Sequence, residues 1–539
     1  MGAQSKRHII QLGNKGFHPW KSLEESFVRG FAWNRKQLLK EEEIYRDCLE
    51  AIHGNCLSSY LSTLDGNFAA IIVSNEKMYL IADNIRSYPI LFSVQGEICF
   101  VSDEEEKLAE HIQDKQFDKL AVAEFLSKGY LSKGRTLFSD IYLVEAGEYI
   151  EIDHTGFKRN TYYEYLYPSF NGETPEIIEK AFTAIEQSFS AMLKVLEGRQ
   201  IVIPLSGGYD SRMIACLCKK KGLSNVVCFT YGKAGTWDTC TSEEVAKRLG
   251  YKWFFVEYTD QRMVDFFRSK EYMEYQIYAG NLDTTPHTQD LLAIRTLLDQ
   301  QLIEKDSIVI PGHSGDFLGG SHLPSMASKT PLYKAIYDKY YNLNSLNKKY
   351  RSLLCEDLKA AVGGVSAKRF PELFMNQFTN WGVKSRQASF IVNSVRIYDF
   401  YGLDWRLPLW NKKFVECWLS IPWSQKQGMT LYNQVLFVRY FDEYGVSIPK
   451  ELIPHSQIRK AYRTVSAYAP FLSAFKKCWI DRRKKEDGYN YLPLLNKYSK
   501  EKWLKEYLCA SSLSVNAAFA IEYIQYCRTL LVSKQANKT

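Results

Sequence analysis

Two glycine-rich stretches carry the residue types that could do chemistry. The first, Ile201-Val-Ile-Pro-Leu-Ser-Gly-Gly-Tyr-Asp-Ser-Arg-Met-Ile-Ala, reads as a buried strand, a turn of small residues and the start of a helix. Gly207 and Gly208 let the backbone approach a ligand with its N–H groups turned inward, as an anion nest requires. The helix that follows directs its positive end at the same place. Ser206 and Ser211 add hydroxyl donors, and Asp210 supplies a hard oxygen ligand suited to the Mg²⁺ that accompanies polyphosphate. Taken alone, these residues read equally as a tight βα turn in which Asp210 caps the helix. The pattern G-x-x-x-x-G-K-S/T is absent, so this is not a Walker A loop. The second stretch, Ile308-Val-Ile-Pro-Gly-His-Ser-Gly-Asp-Phe-Leu-Gly-Gly, again follows a strand with glycines. It fails as a hydrolase elbow, because G-x-S-x-G requires glycine where Asp316 stands.

These loops need elements to hold them. Gln200 to Leu205 reads as a strand, followed by a helix to about Lys221 and a second strand over Val226 to Tyr231. A helix over Ser242 to Leu249, stopped by Gly250, leads to a third strand over Trp253 to Tyr258. Strand-helix-strand-helix-strand at this spacing predicts a parallel, doubly wound sheet, and the loop at Ser206 leaves its first strand, where ligands bind. A helix over Glu176 to Glu197 precedes the sheet, and amphipathic patterns from Leu332 onward predict a helical C-terminal extension. The preceding region, Ile9 to Tyr167, has a different rhythm of short strands and turns. Phe68 to Ser74 and Met78 to Ala82 form a hairpin across Asn75-Glu76-Lys77, and Ile90 to Val94 pairs with Ile98 to Ser102 across Gln95-Gly96. With a strand over Glu148 to Ile152 and helices over Glu41 to His53 and Lys119 to Lys128, this is an α+β domain on antiparallel sheet. The polar, Pro-bounded Pro168 to Pro175 marks the linker. Two domains are expected, over 1–167 and 176–539.

Composition narrows the class. A chain of 539 residues exceeds one ordinary core. Its 46% hydrophobic and 24% charged residues are those of a globular protein. The net charge of +8 is spread thinly, with no basic stripe for nucleic acid. Lys476 to Lys485 is the densest basic run and reads as a solvated helix face. The 12 Cys form no C-x-x-C pair and no zinc-spaced cluster. Cys216 and Cys218 read as buried thiols. Neither a signal core nor an 18-residue apolar stretch is present, so the expectation is a cytoplasmic protein without a membrane partner. Met1-Gly2 is not a myristoylation site, because position 6 is Lys.

Ser-Gly-Gly-x-Asp-Ser resembles the pyrophosphate loop of the N-type ATP pyrophosphatases, which include asparagine, β-lactam, GMP and NAD synthetases. The stretch around Asp316 resembles the asparagine synthetase motif Ser-Gly-Glu-Gly-x-Asp-Glu with its Gly-Gly pair. Leu64-Asp-Gly-Asn-Phe-Ala-Ala, Ala82-Asp-Asn-Ile-Arg-Ser-Tyr-Pro-Ile and Leu143-Val-Glu-Ala-Gly-Glu-Tyr are similar to the family's first-domain signatures. Asp404-Trp-Arg-Leu-Pro-Leu-Trp-Asn is similar to its Glu-x-Arg-x-Pro-Phe-x-Asp element. On these motifs the chain is identified as a divergent member of the glutamine-hydrolysing asparagine synthetase family. The resemblance implies an Ntn-type, class II glutamine amidotransferase-like domain followed by an ATP pyrophosphatase domain. It implies ATP and Mg²⁺, with Leu205, Ser206, Gly207, Gly208, Asp210, Ser211, Tyr231 and Gly312 at the nucleotide and Asp210 and Asp316 on the metal. The activity implied is adenylation of a small-molecule carboxylate with release of pyrophosphate, then amide formation with an amine or ammonia. A homodimer is compatible with it.

The pattern also breaks. Glutamine-dependent members begin with a cysteine nucleophile after Met removal, whereas this chain has Gly2, and its first cysteine is Cys48. The family's Asn-Gly-Glu element is missing; the local text is Ala32-Trp-Asn-Arg-Lys. An inactive glutaminase is therefore expected, as in β-lactam synthetase. His313 replaces the family's catalytic Glu, and Phe317 replaces the Glu after the metal Asp. The lysine of the family's Gly-x-x-Lys-Tyr element is Leu431, before Tyr432. The catalytic candidates are then His313, Tyr432 and Lys426, with Lys426 reading more readily as a surface lysine. His313 reads as a base on the incoming amine, as a phosphate contact or as a neutral loop histidine. His287 matches a stretch that lines the family's acceptor pocket. The losses leave a second reading open, a non-catalytic or regulatory nucleotide-binding homologue.

Overall fold

The computed structural model describes residues 7–112, 115–170, 172–196, 198–324, 330–450, 487–491, 502–510 and 514–532. The basic run at Lys476 to Lys485 and the N-terminal dipeptide lie outside them. Two sheets occupy the first third. A seven-stranded sheet places Leu64–Ser74 between Ser26–Asn34 and Lys77–Ala82, and continues through Glu148–Asp153 to Gly156–Thr161. The four-stranded sheet runs Arg7–Gln11, Ile98–Ser102, Leu91–Gln95, Tyr142–Leu143. The expected hairpin forms, and its turn uses Asn75 and Glu76 at φ 49° and 63°, the left-handed pair that matches strand twist. The sheet is not purely antiparallel, as composition of short strands suggested: Arg7–Gln11 pairs parallel to Ile98–Ser102.

Alternation along Leu64–Ser74 decides the layering. Phe68, Ala70 and Ile72 face the helix Glu41–His53, which places Ile44, Cys48 and Ala51 against them. Ala69 and Ile71 face the other way and pack with Phe92, Cys99 and Val101 of the second sheet. Helices Glu105–His111 and Lys119–Lys128 cover that sheet's outer side through Leu108, Val122 and Phe125. The result is a helix–sheet–sheet–helix sandwich.

The second sheet system is parallel and five-stranded, in the order Lys252–Glu257, Val226–Gly232, Ile201–Pro204, Ile308–Val309, Asp404–Trp405. The first strand in sequence is central, with the second and third on one side and the fourth and fifth on the other. Strand order therefore reverses beside Ile201–Pro204, which opens a crevice at the carboxyl ends. The helix before it spans Thr174–Leu193, started by Pro175 in its first turn. The helix expected from Ser242 begins earlier, at Trp237, because Thr236 caps it by accepting the Thr239 N–H at 3.3 Å. Cys216 and Cys218 are fully buried in the helix Tyr209–Lys220. Helices dominate the described residues between Leu332 and Val532, and among the described residues of the chain no helix is long and apolar enough to cross a membrane.

Charged groups join the sandwich to the parallel sheet. Arg29 donates to Asp399 at 2.9 Å, and Arg396 and Tyr278 donate to the same Asp399 oxygen at 2.9 and 3.1 Å. Arg86 donates to Asp283 at 2.7 Å. Around it the backbone is stitched by Leu131 N–H to Asp283 O at 2.7 Å and Thr285 N–H to Gly129 O at 2.8 Å. Glu105 holds the C-terminal helix Val515–Val532, accepting from Tyr523 OH at 2.5 Å and Leu282 N–H at 2.8 Å.

Asp399→Ala leaves two buried guanidiniums without their shared carboxylate and is expected to lower stability by about 3–5 kcal/mol. A wild-type urea midpoint for that variant would remove this network from the interactions that join the two sheet systems. Burial raises the Glu105 carboxyl to about 8 from 4.5, so the folded state holds its proton longer than the unfolded chain. Stability should fall as pH rises from about 4.5 to about 8, and Glu105→Gln should flatten that slope in thermal melts recorded across the window.

Candidate active site

The loop Leu205 to Ser211 closes on itself before any ligand is considered. Ser206 N–H donates to Ser211 Oγ at 3.1 Å, the two hydroxyls lie 3.2 Å apart, and Gly208 N–H donates to Ser206 Oγ at 3.1 Å. Gly207 N–H donates to Asp238 Oδ1 at 3.0 Å. Beneath, the buried Arg212 donates to Gly207 O at 2.9 Å and to Val446 O and Ile448 O at 3.0 and 2.6 Å. Leu205 is buried and anchors the loop to the neighbouring strand through its N–H on Phe229 O at 2.9 Å. The first-turn N–H groups of the helix Tyr209–Lys220 have no helical carbonyl to serve them and lie beside the second glycine loop, where Gly312 packs against Ser211 N.

The second glycine loop meets the first directly. Asp316 N–H donates to Asp210 Oδ2 at 2.8 Å, and Tyr432 OH donates to Asp210 Oδ1 at 2.8 Å. Ser321 Oγ donates to Asp316 Oδ2 at 2.8 Å. The approach leaves no room for side chains. A Cβ on Gly312 would lie 2.4 Å from Ser211 N, and one on Gly315 2.3 Å from Tyr432 OH and 2.8 Å from Asp210 Cγ. Burial first, and then the charge of Asp316, raise the Asp210 carboxyl to about 7. Two carboxylates thus share one crevice, and the cation that bears on Asp210 is Lys450, whose ammonium lies 4.6 Å from the Tyr209 ring centre. Among the described residues no cluster of three or more His, Cys, Asp or Glu forms a metal cage. Two hard oxygen donors beside an anion nest are the set that a polyphosphate-bound Mg²⁺ uses, with phosphate and water completing its shell.

The other sequence candidates land at different distances from this pair. His313 lies on the same loop as Asp316, with Ser394 Oγ 3.3 Å from its Nδ1. Burial, and then His287, depress its imidazole to about 3. It is neutral in ordinary buffers and a weak base, which favours the hydrogen-bonded neutral form over the base. Tyr432 is fully buried with its hydroxyl on Asp210. Tyr231 stacks between Tyr258 at 5.4 Å and Tyr489 at 5.6 Å. Lys426 corrects the reading as a surface residue. It is 6% exposed, and its ammonium donates to Trp418 O at 2.9 Å, in the layer behind Tyr432. Burial lowers that ammonium to about 8.

Residues 191–436 match the asparagine synthase family, and residues 48–163 match the glutamine amidotransferase domain. The chain thus carries an asparagine synthase domain behind a glutamine amidotransferase domain. It is 24% identical over 260 residues to a probable glutamine-hydrolysing asparagine synthetase of Acanthamoeba polyphaga mimivirus, a match over 45% of this chain and 46% of the relative. The chain therefore spans about half the length of that curated relative. Among solved structures, an NH3-dependent NAD synthetase from Campylobacter jejuni matches at 18% identity over 35% of this chain and 75% of its own, TM-score 0.19. A glutamine phosphoribosylpyrophosphate amidotransferase from B. subtilis, complexed with ADP and GMP, matches at 11% identity over 56% and 58%, TM-score 0.17.

Three residues of this site escaped the sequence reading. Asp238 follows the Thr236 helix cap, and that missed cap was its only signal. Arg212 directly follows the loop, but its ties to Val446 O and Ile448 O cross 234 and 236 residues, and Lys450 meets Tyr209 across 241, so no local pattern marks these contacts. Gly312→Ala should cost roughly 1–3 kcal/mol through overpacking, whereas Gly364→Ala, with open space around it, should leave the melting temperature within a degree or two. Equal melting temperatures for the two variants would mean that the loops are not held at this separation.

Proposed function

We propose that this chain is an ATP- and Mg²⁺-dependent ligase that adenylates a carboxylate and transfers the acyl group to an amine or ammonia. The observation that carries the reading is the Asp210–Asp316 pair, set across the strand-order reversal and beside a helix N-terminus. In this reading a carboxylate oxygen attacks the α-phosphorus of ATP and pyrophosphate leaves. The amine nitrogen then attacks the acyl carbon, AMP leaves with the bonding pair, and the amine proton passes to solvent. Mg²⁺, when bound by Asp210 and Asp316, neutralises charge on the departing pyrophosphate.

The chain's own groups divide the remaining work. Ser206, Gly207, Gly208 and Ser211 cradle pyrophosphate, with the N–H groups that the helix leaves open. Leu205, Tyr231 and Gly312 border the nucleotide, Gly312 because only hydrogen fits there. Tyr432 fixes the rotamer of Asp210, so its role is positioning. His313 stays neutral and orients a neighbour by hydrogen bond, and Lys426 supports Tyr432 from behind.

The first half is read as a retained, Ntn-type, class II amidotransferase-like domain without glutaminase activity, covering 1–167, before a synthetase domain over 176–539. The four-layer sandwich supports the fold, and Ala32-Trp33-Asn34 in place of Asn-Gly-Glu supports the loss. Asp210→Ala should reduce ATP-dependent pyrophosphate release by at least about 10²-fold, the scale of removing one group that stabilises transition-state charge. Its circular dichroism and melting temperature should stay near wild type. Pyrophosphate release at the wild-type rate would overturn the assignment.

A further inference from the structure

Arg386 is a cation without a counter-charge among the described residues, and unlike buried Arg212 and Lys426, which donate to backbone carbonyls, it makes no hydrogen bond with them either. The buried guanidiniums of Arg29, Arg86, Arg396 and Arg406 each hold a carboxylate. Arg135 holds two, Glu124 and Asp357. Arg386 is half-buried and, among the described residues, makes no ion pair. It lies on the ten-residue π-helical segment Gly382–Ile391, a backbone form that recurs at functional sites.

That segment forms one wall beside the glycine loop. Its Gln387 accepts from Ser314 Oγ at 2.6 Å, two residues before Asp316. Its Phe390 stacks on Tyr130 at 5.7 Å and lies 5.7 Å from the His287 ring. Its first residue, Gly382, packs so tightly that a Cβ would lie 2.7 Å from Tyr340 OH, and Tyr340 stacks on His322 at 6.2 Å. The charge of Arg386 bears on His287, His322, Tyr130, Tyr340 and a second cation, Lys339. Burial, followed by Arg386, depresses the His287 and His322 imidazoles to about 4.

The polar atoms left open here are His287 Nδ1, His322 Nδ1 and Tyr340 OH, all buried and without a partner among the described residues. The nearby acids hold other partners: Asp283 holds Arg86, Asp290 holds Tyr398, Glu124 holds Lys128 and Arg135, and Asp316, whose charge bears on His322, holds Ser321. Arg386 lies four residues from both Gly382 and Phe390 on this helix, so it shares the face that meets Tyr340 on one side and His287 and Tyr130 on the other. A cation with no carboxylate of its own, beside buried hydrogen-bonding atoms that have no partner among the described residues, attracts an anion and repels a cation.

We propose that Arg386, with Lys339, binds a second anionic group of the acceptor, a carboxylate or a phosphate distal to the carboxylate that reacts, and that the acceptor carries no ammonium beside it. The pocket sets acceptor specificity and selects against α-amino acids. His287, His322 and Tyr340 supply the neutral hydrogen bonds around that group. This rests on the ligase reading only for the word acceptor; the anion site stands on its own residues.

The test is direct binding to the full chain by calorimetry, without nucleotide and then with a non-hydrolysable ATP analogue and Mg²⁺. Succinate and 2-phosphoglycolate are the probes, and aspartate is the amino counterpart. At least one probe should bind about tenfold or more tightly than aspartate, and which of the two binds better decides between carboxylate and phosphate. Arg386→Gln should lose at least about tenfold of that affinity while its affinity for the ATP analogue stays unchanged. Arg386→Lys, which keeps charge but not the guanidinium fork, should recover part of the loss and covers the case in which the glutamine variant fails to fold. Aspartate binding as tightly as succinate, no binding of either probe, or wild-type probe affinity in Arg386→Gln would each overturn the proposal. Failure of the ATP analogue alone to bind would sink the ligase reading and leave the anion site judged by the nucleotide-free arm.

Discussion

The site depends on one close contact, the Asp210 carboxylate held between Tyr432 OH and Asp316 N–H. It brings two acidic loops from neighbouring strands within hydrogen-bonding distance of each other in a buried crevice. Like charges there would separate the loops if a side chain or backbone shift allowed it. Glycine at 312 and 315 permits the approach, and the layer of Tyr432, Trp418 and Lys426 behind it opposes retreat. Burial, and after it the charge of Asp316, raise the Asp210 carboxyl in this crevice. Neutralisation by a proton or by a hard cation relieves the same repulsion, so the geometry and the ligand chemistry have one cause.

The sandwich domain contributes more than a retained shell. Its turn after Asp83 is tied by Phe68, Ile85 and Ser87 N–H groups on the buried carboxylate, and this presents Arg86 to Asp283. Gly129 and Leu131 then pair with the backbone at Asp283 to Thr285, and Tyr130 stacks on Phe390 of the π-helical wall. The segment that carries His287 is therefore shaped from the first half of the chain. The sandwich domain thus supplies backbone and rings to one side of the neighbouring wall.

Much of this was legible locally. The strand boundaries around Ser206, the Asn75-Glu76 turn and the helix over Glu41 to His53 follow from hydrophobic period and turn residues, which act within a few positions. The two glycine-rich turns were legible in the same way, whereas their pairing was expected only from the family resemblance. Other features were not legible, for a common reason. Lys426 has the composition of a surface lysine, and only packing against Trp418 and Gly320 buries it. His313 looks like a base until its surroundings depress it. The parallel edge pairing of Arg7–Gln11 comes from topology, and strand composition does not encode direction.

By itself the sequence determined the elements, their order and the residue types that a polyphosphate site needs, because propensity, capping and glycine placement are short-range. Tertiary structure alone decided which charges are paired. Asp238 on Gly207, Lys450 above Tyr209 and Tyr432 on Asp210 are separated along the chain by 31, 241 and 222 residues, and Arg386 is recognisable as unpaired only once the acids around it are seen to hold other partners. Electrostatics in a folded interior depends on distance through space and on burial, and neither is written into local sequence. The Ser206 to Ser211 loop was readable from its letters, whereas the protonation and orientation of Asp210 within it were set by Asp316 and Tyr432 arriving from elsewhere.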